Sequence, residues 1–169
     1  MAPEASNPTV EVQPTSEAII EAVRSGNLLE ALRAGYLIYN ARPLSLVEVA
    51  QCFHPEVEYH TRADMPDPRT YRGREEWMHF TAEWIGAFDD FHMEPVEIFE
   101  TDGKVVDVMQ VGGHIKGSGQ QVEMETAHVW SFRDGLVSEV REYPTKREAL
   151  KALGLHESAT FANRFAEPS

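Results

Sequence analysis

Apolar positions change period once along this chain. Up to Phe88 they recur at intervals of three and four residues, and from Phe91 onward they alternate. The first regime predicts helices. "SEAIIEAVRSGN" reads as a short helix from Ser16 that stops at Gly26, and "LLEALRAGYLIYN" as a second, with Leu28, Leu32, Gly35, Tyr36 and Tyr39 on one face. "SLVEVAQCF" is a third, with Ser45 and Glu48 at capping-box spacing. After "HPEVEYHTRA", the stretch "DMPDPRTYRG" carries three breakers and reads as a loop, and "REEWMHFTAEWIGAF" then aligns Trp77, Phe80, Trp84 and Phe88 along a fourth helix. In the second regime, turn signals at "TDGK", "KGSGQ" and "RDG" divide the region into four strands, close enough together for an antiparallel meander. "TKREALKALGL" closes the pattern as a helix, capped by Thr145 and Glu148 and stopped at Gly154, with a polar tail to Ser169. Helices first and a curled antiparallel sheet afterwards predict an α+β domain with its helices packed on one sheet face.

Composition narrows the function more than the fold. A chain of 169 residues, 42% hydrophobic and 25% charged, fits one soluble domain with extensions. The division expected is a disordered arm over 1–14, an extra helix over 15–26, the domain proper over 27–155 and a tail over 156–169. A net charge of -13 opposes binding to phosphate backbones and anionic membranes, so neither is an expected partner. The first residues, "MAPEASNPTVEVQP", have no basic start and no apolar run, which makes a cytoplasmic protein the default expectation. Cys52 has no partner for an internal disulfide and lies in an apolar helical pattern, the setting of a reduced, buried thiol.

Alternation selects the chemistry. In "EMETAHVWSF" one face carries Met124, Thr126, His128, Trp130 and Phe132, and the other Glu123, Glu125, Ala127, Val129 and Ser131; the first set is the expected buried one. His128 is thus either a satisfied core histidine or a proton carrier facing a cavity, since imidazole titrates near neutral pH. In "LVSEVREYP", Leu136, Ser138, Val140, Glu142 and Pro144 alternate against Val137, Glu139, Arg141 and Tyr143.

"GYLIYN", "HPEVEYH", "YRGREEW" and "HVWSFRDGLVSEVREYPTKREALKALGL", in this order, resemble the nuclear transport factor two-like superfamily, in its branch of SnoaL-like cyclases and ketosteroid isomerases. The resemblance covers about Asn27 to Leu155. It implies a cone, a cystatin-like roll in which a strongly curved antiparallel sheet wraps the N-terminal helices around an apolar pocket. The superfamily includes isomerases, cyclases, dehydratases, epoxide hydrolases and non-catalytic binding modules, so fold alone does not choose among them.

Anchored on "RDG", the resemblance puts His128 where ketosteroid isomerases hold a protonated carboxylic acid that donates to the substrate oxygen. It turns Val140 and Glu142 toward the cavity, where related epoxide hydrolases carry a water-orienting carboxylate; the other reading of Glu142 is an exposed group at the pocket mouth or a partner of Arg141. Tyr36 takes the place of the isomerases' oxyanion-donating tyrosine, or else is a core tyrosine bonded to a carbonyl. Tyr59 stands where those enzymes carry their proton-moving aspartate, and a phenol with a reference pKa of about 10 is a poor base there. The epoxide hydrolase pattern is incomplete, with Thr61 for its asparagine and only Asp107, expected near its strand's start, in "DVMQVGGHI".

The pocket wall expected is Trp77, Phe80, Trp84, Met109, Val111, Met124, Thr126, Trp130 and Val140, a lining for a hydrophobic small molecule; any one of them is equally well read as core. His54, His60, His79, His92, His114 and His156 form no local ligand spacing, so no metal is expected, and His60 and His114 fall on the faces opposite the pocket unless a bulge near Gly112 and Gly113 reverses His114. The sequence therefore points to a cofactor-independent acid/base enzyme acting on a hydrophobic carbonyl compound by cyclisation, isomerisation or dehydration. Proton transfer falls to His128 with Glu142, and oxyanion donation to Tyr36 or Tyr59. The alternatives are a non-catalytic binding or dimerisation module and, less well matched, water addition to an epoxide. A homodimer is implied by the resemblance.

Overall fold

The computed structural model describes residues 13–41, 43–161 and 164–166. Most of the arm expected over 1–14 lies outside the described residues. The chain begins with α1 (Ser16–Arg24), α2 (Leu28–Asn40) and α3 (Leu46–Ala50). Then come β1 (Phe53–His60), β2 (Thr70–Arg72) and α4 (Gly73–Gly86). It ends with β3 (His92–Thr101), β4 (Lys104–His114), β5 (Gln121–Arg133), β6 (Leu136–Tyr143), α5 (Lys146–Ala152) and β7 (Arg164–Ala166).

Local chemistry sets the boundaries. Thr15, Ser45 and Thr145 each accept a backbone N–H of the first turn that follows, satisfying a donor that the helix itself leaves open. The two Asp-Gly turns, Asp102–Gly103 and Asp134–Gly135, have positive φ at both residues, the conformation whose twist matches a two-residue hairpin.

The strands form one seven-stranded sheet in the order β2-β1-β6-β5-β4-β3-β7. All pairings are antiparallel except β1 with β6, which is parallel and joins the N-terminal half of the chain to the meander. On the inner face the sheet buries two apolar clusters against α1 to α4: one around Phe53, Val57, Tyr59, Trp77 and Val140, the other around Leu32, Tyr36, Ile98, Val105 and Met109.

Three features depart from the sequence reading. The helices do not all pack on one face: Ala149 and Leu150 of α5 cover Phe99, Val106, Ala127 and Val129 on the outer face. Ala127 and Val129 of the outward set of β5 are therefore buried as well, because a small-and-branched stripe under a capped helix is as dry as the inner wall. The breaker-rich stretch holds the short strand β2, and the tail is not merely polar, since Phe161 stacks on Phe99 with ring centroids 4.0 Å apart and Arg164–Ala166 adds a strand to β3.

Candidate active site

Register builds the site. Asp107 on β4 lies directly opposite His128 on β5, and His128 lies directly opposite Glu142 on β6. Opposed residues share a face with Cβ atoms about 5 Å apart, so three adjacent strands present a carboxylate, an imidazole and a carboxylate in one row. The row depends on a bulge. Counting back from the Asp134–Gly135 turn with no irregularity would set His128 against Arg141, but the register shifts between Ser131 and Phe132 and brings Glu142 into place. The same shift turns Val137, not Ser138, toward the interior, where it lines the cavity with Phe132.

His128 Nδ1 is 2.7 Å from Asp107 Oδ1. The other Asp107 oxygen accepts from the Tyr36 hydroxyl and from the Trp130 indole N–H. Trp is a donor only and the carboxylate an acceptor, so the consistent assignment has His128 donating from Nδ1. Nε2 is then the atom offered to the cavity, 3.9 Å from Glu142 Oε1 and too far for a hydrogen bond. Glu142 accepts from the Tyr59 hydroxyl, and from the backbone N–H of Arg62 at 3.2 Å. Arg62 in turn donates from Nη1 to Thr126 Oγ1 and the Glu125 carbonyl, both at 2.9 Å, and holds Asp64.

Burial gives these contacts their weight. The side chains of His128, Asp107 and Glu142 are 4%, 0% and 13% exposed. Burial disfavours the imidazolium, but the charge and hydrogen bond of Asp107, helped by Glu142, outweigh it, and the His128 pKa is raised. Tyr36 and Tyr59 are pushed well above the ordinary phenol range, first by burial and then by the carboxylates they bond. Neither phenol can serve as a base at neutral pH, and each reaches a substrate oxygen only by exchanging its carboxylate partner. Burial lifts the Cys52 thiol to about 11, which keeps it protonated and inert.

Two cavities meet at this row. The larger, about 90 Å³, is lined by Tyr36, Tyr59, Trp77, Trp130 and His128, together with Ile19, Ile20 and Val23 of α1. The smaller, about 30 Å³, is lined by Phe80, Trp84, Val111, Met124, Thr126, His128, Glu142 and Arg62. His128 and Met93 belong to both walls and divide them.

The four side chains read from the sequence as the acid/base set, His128, Glu142, Tyr36 and Tyr59, thus converge on one connected network. Of the expected wall, Met109 and Val140 are instead fully buried in the apolar clusters and line neither cavity. Glu142 is not paired with Arg141, whose guanidinium holds Glu139. Asp107 is the residue that sequence reasoning set aside; it lies near the start of β4, as expected, yet is fully buried at the centre of the network. Its signal was available: it has the same parity as Val105, Met109 and Val111, so the alternation that turned those inward turns it inward too. Arg62 and Met93 gave no such signal, since one is in an irregular loop and the other at a strand's beginning.

Among the described residues a second histidine cluster also assembles. His60 Nε2 lies 3.4 Å from carboxylate oxygens of both Glu58 and Glu139, a grouping close enough to ligate an ion. It stands on the opposite face from Tyr59 and Val140, away from the cavities, and its carboxylates already pair with Arg72 and Arg141.

A curved sheet closed over helices, with an apolar cavity and a buried row of titratable groups inside, defines a pocketed α+β cone. The chain belongs to the family described as the SnoaL-like domain, which matches residues 32–140. Among curated proteins, none matches the chain. Solved structures agree on the fold. A protein described as a SnoaL-like polyketide cyclase from Jannaschia sp. CCS1 is 17% identical, with 80% of this chain and 94% of that one covered and a TM-score of 0.60. A ketosteroid isomerase-like protein from Catenulispora acidiphila DSM 44928, solved with trimethylamine, is 19% identical over 76% and 95% of the two chains, with a TM-score of 0.58. A phenazine biosynthesis-related protein from Pseudomonas aeruginosa is 19% identical over 90% and 99%, with a TM-score of 0.56. At these identities the likeness speaks for the fold and not for an activity.

Proposed function

We propose that the protein is a cofactor-independent general acid/base catalyst acting on a hydrophobic carbonyl compound. The observation that carries this reading is the Asp107–His128 hydrogen bond at the wall of an apolar cavity. Asp107 fixes the ring so that Nε2 faces the cavity, and its negative charge favours the protonated form. The arrangement follows the same logic as a buried aspartate that orients a catalytic histidine and stabilises its imidazolium.

In the proposed step, Nε2 takes a proton from the carbon next to the substrate carbonyl, and the C–H electron pair moves into the enolate. The imidazolium formed lies between two carboxylates that stabilise it, and returns the proton at another position of the same molecule. No redox partner is required: isomerisation follows when the proton returns to another carbon, and ring closure follows when the enolate carbon attacks a second carbonyl of the same molecule, whose C=O π pair becomes the alkoxide that takes the proton from the imidazolium. Tyr36 and Tyr59 are both placed to donate to the enolate oxygen, since each lines the larger cavity beside His128 and can exchange its carboxylate partner. Glu142 is a second base if the imidazole is already protonated.

The proposal also includes a homodimer and a cytoplasmic setting. Mass in solution by light scattering tests the first, and a monomer removes it. No described helix is long and apolar enough to cross a membrane.

The test of the reaction is isotope exchange with a panel of aryl ketones in deuterium oxide, followed by NMR. Loss of the α-proton signal with the native protein, and its retention with His128→Asn, is the expected result. Equal exchange by both proteins removes His128 from the mechanism. Ligand binding without exchange by either turns the reading to a binding module.

A further inference from the structure

The larger cavity is too small for what its lining suits. Its volume is about 90 Å³. Sites that enclose a drug-sized molecule have about 300–1,000 Å³. Yet the wall is almost wholly apolar and rich in rings, with Tyr36, Phe53, Trp77 and Trp130 around it. A ring-bearing substrate fits only if one wall moves.

Most walls are tied in place. β5 and β6 are held by ladder hydrogen bonds on both sides, and α4 is locked by Trp77 stacked on Phe53 at 4.3 Å. Helix α1 differs. Among the described residues its backbone-to-backbone hydrogen bonds are all local, within Thr15–Asn27, and it presents Ile19, Ile20 and Val23 to the cavity.

Two attachments hold it across the opening. At its start, the Ser16 N–H and hydroxyl both donate to Glu48 Oε1, at 3.2 and 2.8 Å. At its end, Arg24 lies over Gly135, so close that a Cβ there would be 2.5 Å from Arg24 Cγ. Gly26, with φ +79°, follows as the joint to α2. The matched family segment, residues 32–140, begins after α1.

We propose that α1 is the gate and size filter of the apolar cavity, swinging at Gly26 to admit the aromatic body of the substrate beneath Ile20 and Val23. This rests on the reading of the site given above and names its substrate class: a neutral, ring-bearing carbonyl compound whose reacting carbon stops at His128. Glu48 sets how often the gate opens, because its half-buried carboxylate is the single acceptor of the clasp at the start of α1.

The probe is the neutral fluorophore N-phenyl-1-naphthylamine, followed by stopped-flow fluorescence. In Ser16→Cys, a bridge to Cys52, whose Sγ lies 3.9 Å from the Ser16 carbonyl oxygen, pins the start of α1. The oxidised protein is expected to bind the probe at least tenfold more slowly than the same protein in dithiothreitol. Glu48→Gln, which keeps the side chain's shape and acceptor oxygen but removes the charge that strengthens both bonds from Ser16, is expected to raise the association rate at least threefold.

Equal rates for the oxidised and reduced forms overturn the proposal. So does an unchanged rate in Glu48→Gln, which decides the matter alone if mass spectrometry shows that the bridge has not formed. A wild-type protein that does not take up the probe overturns it too. The readout needs no turnover: an inactive protein with α1-dependent rates loses the proton-transfer reading and keeps the gate, and an active one with α1-independent rates does the reverse.

Discussion

The molecule builds the same trio twice. His128 stands between Asp107 and Glu142 on the inner face of the sheet, and His60 stands between Glu58 and Glu139 on the outer face. What surrounds them differs. The outer carboxylates are 42% and 29% exposed and answer to Arg72 and Arg141. The inner ones are nearly dry, and their partners are two phenols, an indole and a backbone N–H, none of which carries a charge. Outside, arginines and water share the electrostatic load, so the trio is an ion-pair network of small net value. Inside, the imidazole is the cation nearest to hand, so its proton becomes the variable that balances the site. Residue types alone do not separate these two clusters; burial and the neutrality of the remaining donors do.

The largest effect expected is on rate. His128→Asn should lower α-proton exchange by roughly 10²- to 10⁴-fold with the circular dichroism of the fold retained, whereas His60→Asn leaves it unchanged. Equal losses in both variants would erase the distinction between the faces.

Next is stability. Asp107→Asn leaves a buried imidazole, phenol and indole around an amide that cannot accept from them all, and should cost about 3 kcal/mol in urea unfolding. Tyr59→Phe removes one hydrogen bond to a buried carboxylate and should cost about 2 kcal/mol. The smallest effect belongs outside: Glu139→Gln should change stability by less than about 1 kcal/mol. A loss there as large as that of Asp107→Asn would mean that the outer cluster carries buried charge after all.

The sequence made much of this visible, and the reasons for the misses are physical. The helices and the four-strand meander follow from period and caps, parity turned His128 inward, and the family resemblance turned Glu142 toward the same cavity. Their direct opposition was not readable, because it depends on a bulge between Ser131 and Phe132 that no residue type signals. Asp107 was discounted from its apparent place in the strand, although "VVDVMQV" has the alternation that buries it. Helix α1 was legible as a helix, but its role as a cavity wall is a tertiary fact, settled by contacts to Glu48 and Gly135 far along the chain. The outer packing of α5 escaped for a related reason: Ala127 and Val129 are small enough to read as an exposed stripe until a helix covers them.

The raised His128 pKa gives the inner trio a signature that the sign of linkage fixes. Its extra stability is fully present below the unfolded histidine value of about 6.5 and is lost as pH rises through the higher folded value. The most direct measurement is a side-chain nitrogen NMR titration of the histidines, with His128 assigned by its loss in His128→Asn. The account predicts a neutral form of His128 protonated at Nδ1 and a midpoint above 6.5. A neutral form protonated at Nε2, or a midpoint below 6.5, would contradict it.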